Sequence, residues 1–410
     1  MARRILKGAG VLVILGVLGI AVLLAAIWIE HRSELTLPNP TGPFAVGRAL
    51  YPLADSTTFD TLSPVPGTRH ELLLWIWYPS SVAKSAAIDD YVPAPMRAAA
   101  QRARGRTTFL GMLMGGLTRD PSKVRSRTAR EAELSPQEPS YPVVILRGGA
   151  SAPVVNYSTL AEDLASHGYV VVGFDAPYRT GLVVFPDGRV IGRTSENNPE
   201  LIFGAPDSAR RINRLLGAWT GDIAFVLDRL ARLTPSDPLG RFAGRLDMRR
   251  VGVFGHSFGG SQAAQFCSLD SRCAAGIDID GVPLGSVIQN GIHQPFMFVL
   301  SDHGDAADST TRRIQADIQS IYETLPPDHR VRLEIRGANH FVFSDDGALL
   351  KSGFVRWVLR RLGMLGIDGR RQLAVTSYCV RSFFDAYLDG ASPRRPTITS
   401  PFYPEIKVIE

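Results

Sequence analysis

The ten residues VGVFGHSFGG (251–260) join an apolar run to a serine set among glycines. A strand that ends in a sharp turn at a serine and passes straight into a helix is the nucleophile elbow of serine hydrolases. Glycines belong in such a turn because backbones approach where a Cβ would obstruct. The turn would expose the Ser257 hydroxyl to the N–H groups and dipole of a helix continuing through SQAAQF (261–266). The chemistry this predicts is acyl transfer through a covalent serine intermediate.

A serine hydroxyl becomes a good nucleophile when an imidazole takes its proton and a carboxylate orients that imidazole. The expected chain order is serine, acid, histidine, which leaves His293, His303, His329 and His340 as bases. His340 lies in RGANHF (336–341), after the strand pattern VRLEIR (331–336) and so at a strand's C-terminal end, where sites of open α/β sheets gather. His293 and His329 precede their strands and fall at the opposite end; His303 is the alternative base. His256, inside the turn, is expected to support packing there. For the acid, position leaves Asp278 and Asp280 in GIDIDG (276–281), and Asp302 and Asp305 in SDHGD (301–305). Asp278 sits deeper in its strand, where a satisfied buried carboxyl is expected. An oxyanion hole needs two backbone donors: the Phe258 N–H, and one from the glycine-rich loop after YPVVIL (141–146).

The elements that must hold these groups alternate in a βαβ rhythm. YPVVIL, YVVVGFD (169–175), VGVFG (251–255), AAGIDID (274–280), PFMFVL (295–300) and VRLEIR read as buried strands. Residues 157–167 read as a helix stopped by Gly168, and apolar residues at helical spacing mark another over 209–233. TGPFAVGRALYPL (41–53) and ELLLWIWYP (71–79) read as two strands near a sheet edge, and LVVFPDGRVIG (182–192) as a hairpin turning at Asp187-Gly188. The expected fold is an α/β-hydrolase, with a mostly parallel central sheet and helices on both faces.

Of the 410 residues 45% are hydrophobic and 20% charged, which excludes a disordered chain. The net charge of +6 is mild and no nucleic-acid motif is present. The uncharged run over 8–29 spans roughly 33 Å as a helix, enough to cross a bilayer core. Arg3, Arg4 and Lys7 precede it, so the N-terminus is expected in the cytoplasm and the remainder outside; a cleaved signal and a secreted product are the alternative. The organisation expected is a stub and signal anchor over 1–32, a linker over 33–42 and a hydrolase domain over 43–410. Within it, residues 80–140 form an insertion. Residues 97–130 of that insertion hold nine basic residues against one acidic, around the apolar FLGMLMGGL (109–117). That pattern suits a lid, contact with an anionic membrane surface, or a solvated segment packed on the core. Cys267 and Cys273 are close enough in sequence to bridge outside the cytoplasm. No cysteine–histidine spacing suggests zinc; Asp302, His303, Asp305 and Asp308 read as a polar loop, and neither metal nor cofactor is expected.

The motifs TGPFAVGR, YPVVIL, LAEDLASHGYVVV (160–172), GHSFGG, AAGIDIDG and IRGANH, in a stretch running on to FFDAYLDG (383–390), resemble the platelet-activating factor acetylhydrolase family of the plasma and isoform II type. The resemblance implies Ser257 as nucleophile, His340 as base and, by the matching strand end, Asp280 as acid, with Asp302 as runner-up. It also implies Ala150 N–H as the second oxyanion donor, although Gly148 stands where the family has histidine. The expected activity is hydrolysis of short acyl esters on phospholipid-like substrates. A general carboxylesterase, lipase or polyester hydrolase would use the same triad. A non-catalytic, membrane-tethered binding protein on a hydrolase scaffold is the reading from another class.

Overall fold

The computed structural model describes residues 2–104, 120–150, 152–302, 309–350, 356–357, 360–361, 366–389 and 396–409. The FLGMLMGGL segment, His303, Asp305 and Asp308 lie outside the described residues.

Strands whose residues are apolar on both sides must be covered on both sides, and such strands build the middle of this molecule. In chain order the main sheet uses β1 (Ala45–Phe59), β2 (Arg69–Ser80), β3 (Thr128–Arg130), β4 (Tyr141–Arg147), β5 (Val170–Asp175), β6 (Leu246–His256), β7 (Ala275–Ile279), β8 (Phe296–Leu300), β9 (Arg330–Ile335) and β10 (Ile406–Val408). Their spatial order is β10-β9-β8-β7-β6-β4-β5-β2-β1-β3. The six from β9 to β5 run parallel, while β2, β1 and β10 pair antiparallel with their inner neighbours. Every residue of β4, β5 and β7 is buried.

The period-two alternation sorts side chains between two core layers. Leu72, Leu74, Ile76 and Tyr78 of β2 join Val143 and Ile145 of β4 on one face. Trp75 and Trp77 join Val144 and Leu146 on the other. Helices cover both faces. The Ile212, Leu216, Trp219, Ile223 and Leu227 stripe of Ser208–Ala231 packs on the first layer; the Leu373, Val380, Phe384 stripe of Gly369–Leu388 packs on the second.

The N-terminal helix α1 (Ala2–Arg32) is long and apolar enough to cross a membrane, and its span Val13–Arg32 has no buried share within the protein. The segment after α1 departs from the expected linker. Leu35–Thr36 pair in parallel with Val124 and Arg125, Leu37 is buried, and Thr41 donates from its N–H and hydroxyl to Asp163. Residues 33–42 are therefore docked on the domain, because the backbone of the basic segment offers them a strand edge. Three arginines of that segment have carboxylate partners from outside it. Arg97 and Arg125 bond Asp90, and Arg130 bonds Asp89 together with the buried Arg48. The neutralising carboxylates stand just ahead of residue 97, outside the basic window. Cys267 and Cys273 are bonded, with Cα atoms 5.1 Å apart, and tie the end of the elbow helix to the approach to β7.

Candidate active site

Successive parallel strands are laid down to opposite sides of β4: β5 on one, β6 on the other. Such a switch point opens a crevice beyond the strand C-termini, where open α/β sheets bind ligands. The loop after β4 and the turn after β6 meet there. Ser257 joins β6 to helix α2 (Phe258–Leu269) with φ 57° and ψ −125°, a left-handed conformation that only a tightly held turn imposes on a side-chain-bearing residue. The glycines are needed by contact: a Cβ at Gly259 would lie 2.4 Å from the Arg147 carbonyl oxygen, and one at Gly149 would lie 3.1 Å from Ser257 Cβ. The β4 loop thus runs directly against the serine turn.

Ser257 Oγ lies 3.0 Å from His340 Nε2, and His340 Nδ1 lies 2.7 Å from Asp280 Oδ2. Asp280 follows the last residue of β7 at positive φ (53°) and is buried. Its Oδ1 accepts from the Ser301 N–H at 2.8 Å and its Oδ2 from the Ser301 hydroxyl at 2.7 Å. With those donors on the carboxylate, His340 Nδ1 carries the proton facing Asp280, and Nε2 presents its lone pair to the serine hydroxyl. The His340 side chain is 35% exposed, so the imidazole can be reached from outside.

Two other candidate acids, Asp302 and Asp278, have partners of their own. Asp302 Oδ2 accepts from the Gly337 N–H at 2.8 Å and its N–H bonds the Ala338 carbonyl, pinning the loop that carries His340. Asp278 is buried beneath the turn, where its Oδ1 accepts from the Gly281 N–H at 2.7 Å. Burial pushes its carboxyl up to about 8, the neighbouring Asp280 adding to the shift. Of the alternative bases, His293 and His329 stand ahead of β8 and β9, at the far end of the sheet.

Among the described residues, the Phe258 and Ala150 N–H groups donate to no acceptor within the chain. Ala150 has φ 28°. The N–H next to it is occupied: Gly149 donates to the Tyr157 hydroxyl at 3.0 Å, and that oxygen lies 2.9 Å from His256 Nδ1. The Tyr157 oxygen accepts from Gly149 and pairs with His256 Nδ1 through one shared proton, so the hydroxyl ties the oxyanion loop to the elbow histidine. Burial first, and His340 nearby second, push the His256 imidazole down to about 3. It stays neutral with its ring centre 4.7 Å from that of His340, so no second cation opposes a charge forming there. Tyr157 was legible only as the start of a helix. Its pairing with a residue 99 positions away leaves no signature in local spacing. No group of three His, Cys, Asp or Glu side chains among the described residues is arranged to hold a metal ion.

The profile described as platelet-activating factor acetylhydrolase, isoform II, matches residues 29–177 and 233–389 of this chain, well over half its length. The chain belongs to that family. As a member of the isoform II family it is a carboxylic ester hydrolase. It is similar to a protein of Arthroderma benhamiae named "Probable 1-alkyl-2-acetylglycerophosphocholine esterase", 26% identical over 92% of this chain and 95% of that one. A "Platelet-activating factor acetylhydrolase" of Cavia porcellus is 26% identical over 78% of this chain and 73% of its own. Among solved structures, a ferulic acid esterase from Streptomyces cinnamoneus superposes with a TM-score of 0.70 at 25% identity, covering 92% of this chain and all of that one. The fold is that of the α/β-hydrolase esterases.

Proposed function

We propose that this family member is a membrane-anchored serine esterase that releases short acyl groups from phospholipid-like esters. The observation that carries the reading is the relay of hydrogen bonds from Ser257 through His340 to Asp280 at a strained strand-to-helix turn. In the proposed mechanism His340 Nε2 takes the Ser257 proton as Oγ bonds to the ester carbonyl carbon. The carbonyl oxygen becomes an oxyanion facing the Phe258 and Ala150 N–H groups. Asp280 balances the imidazolium. Collapse expels the alcohol, which takes the proton from His340, and leaves an acyl-serine; a water, deprotonated by the same imidazole, then frees the carboxylic acid.

Two observations support the placement. Helix α1 carries an apolar span with no buried share, and the Cys267–Cys273 bond suits an oxidising compartment, so the catalytic domain is read as extracytoplasmic. The names of the Arthroderma and Cavia relatives support the acetyl-phospholipid substrate; the solved esterase favours wider ester tolerance. Purified protein should release acetate from 1-alkyl-2-acetylglycerophosphocholine, and the Ser257→Ala protein should not. Faster turnover of feruloyl or polyester substrates would move the assignment to a general esterase, and no ester turnover at all would return it to a binding protein.

A further inference from the structure

A cavity of about 390 Å³ lies between the end of α1 and the hydrolase, inside the size range of small-molecule sites. One wall is His31 at the foot of α1 and another is Met96 and Ala100 of the helix Ala94–Arg104. Its lining also includes Val155, five residues after Ala150, and Leu349, nine residues after His340. Those two segments are tied together, the Asp345 N–H donating to the Asn156 carbonyl at 2.7 Å. The cavity thus has in its lining the residue at the foot of the apolar span and residues of the two segments that follow the oxyanion loop and the imidazole in the chain.

Arg97, Asp120 and Asp346 of its lining each have a partner within the protein. Arg97 donates to Asp90 and to the Val92 carbonyl, Asp120 Oδ1 accepts from the Ser122 N–H, and Asp346 Oδ2 bonds the Ser344 hydroxyl. What remains to meet a guest is mainly hydrocarbon. On the other side of His31, Leu24 and Trp28 of α1 are more than half exposed, as residues facing lipid would be.

We propose that this cavity receives the hydrocarbon chain of an ester lipid drawn from the bilayer around α1, leaving the scissile ester at Ser257. The proposal rests on the esterase reading of that serine and adds to it where the substrate comes from. Each methylene buried there should raise kcat/KM about fourfold until the cavity is full.

The test uses full-length protein in phosphatidylcholine vesicles and 2-acetyl glycerophospholipids whose 1-alkyl chains have four to sixteen carbons. Wild-type kcat/KM should climb with chain length. Ala100→Phe, which fills the cavity from a half-buried position, should flatten that climb and lower the ratio of long-chain to p-nitrophenyl acetate turnover at least tenfold. Parallel chain-length series in the two proteins would overturn the proposal. A second measurement needs neither turnover nor that variant: a lipid with a terminal diazirine on its 1-alkyl chain, photolysed with Ser257→Ala protein in vesicles. Cross-links on the peptides of Met96, Ala100 or Leu349 are expected, and cross-links confined to α1 would overturn it. Failure of the esterase reading would show separately, as wild-type protein that turns over neither p-nitrophenyl acetate nor any of the series.

Discussion

Removing one oxygen atom, in Tyr157→Phe, separates a positioning role from a packing role at the oxyanion loop. The hydroxyl accepts from the Gly149 N–H at 3.0 Å and pairs with His256 Nδ1 at 2.9 Å, in a site closed to water. Its loss leaves a buried N–H and a buried imidazole nitrogen unpaired, at about 1–3 kcal/mol each when nothing relaxes. The peptide of Gly149 is the least costly to move, because it sits in a loop, and rotating it turns the adjoining Ala150 N–H away from the reacting oxygen. Complete loss of one oxyanion donor lowers kcat roughly 10²–10³-fold, which bounds the effect from above. We expect kcat on p-nitrophenyl acetate to fall by at least about tenfold within that bound, with KM nearly unchanged. Affinity for a trifluoromethyl ketone, whose adduct places an oxyanion in the same hole, should fall in parallel with kcat/KM. A variant that melts at a lower temperature but keeps wild-type kcat and ketone affinity would refute the positioning argument and leave the hydroxyl a structural role only.

Asp280→Asn should keep the fold and lower kcat roughly 10³–10⁴-fold, because an amide cannot balance the imidazolium. Asp302→Asn keeps an amide oxygen that can still accept from the Gly337 N–H and should cost about fivefold or less; the reverse order in steady-state assays would reassign the acid. Glu162 is buried, and desolvation raises its carboxyl from 4.5 to about 8. The native state then keeps a proton that the unfolded chain releases, so stability should fall as pH rises from about 4.5 to about 8 and level off above. Glu162→Gln should flatten part of that slope, by up to about 5 kcal/mol. Some slope should remain, because Asp278 and Asp345 are raised to about 8 and about 7 in the same way. Unfolding by urea at pH 5 and pH 8.5 measures it, and identical slopes in both proteins would contradict the assignment.

The sheet was legible because its strands are apolar on both faces, so YPVVIL and ELLLWIWYP must both be covered on both sides; ELLLWIWYP was read near a sheet edge, and two strands, β1 and β3, lie outside it. The elbow was legible for a different reason, since glycines with a serine between a strand and a helix satisfy a steric demand that few other turns make. The acid was not decided by position. Asp278 and Asp280 differ by two residues in one strand, and which carboxylate faces the imidazole depends on the bend of a strand end at positive φ. Contacts between distant segments were the least legible. Neither the Tyr157–His256 pair nor the docking of Leu35 and Thr36 on Val124 and Arg125 obeys any periodicity. The partners of Arg97, Arg125 and Arg130 were not legible either, because the carboxylates at 89 and 90 are brought alongside by folding from outside the window.

The most direct measurement is the site of covalent modification by a fluorophosphonate, read by mass spectrometry of peptides from the wild-type protein. One adduct on the Ser257 hydroxyl, absent after Ser257→Ala and strongly slowed after His340→Ala, is the expected result. An adduct on any other residue, or unchanged labelling without Ser257, would contradict the account.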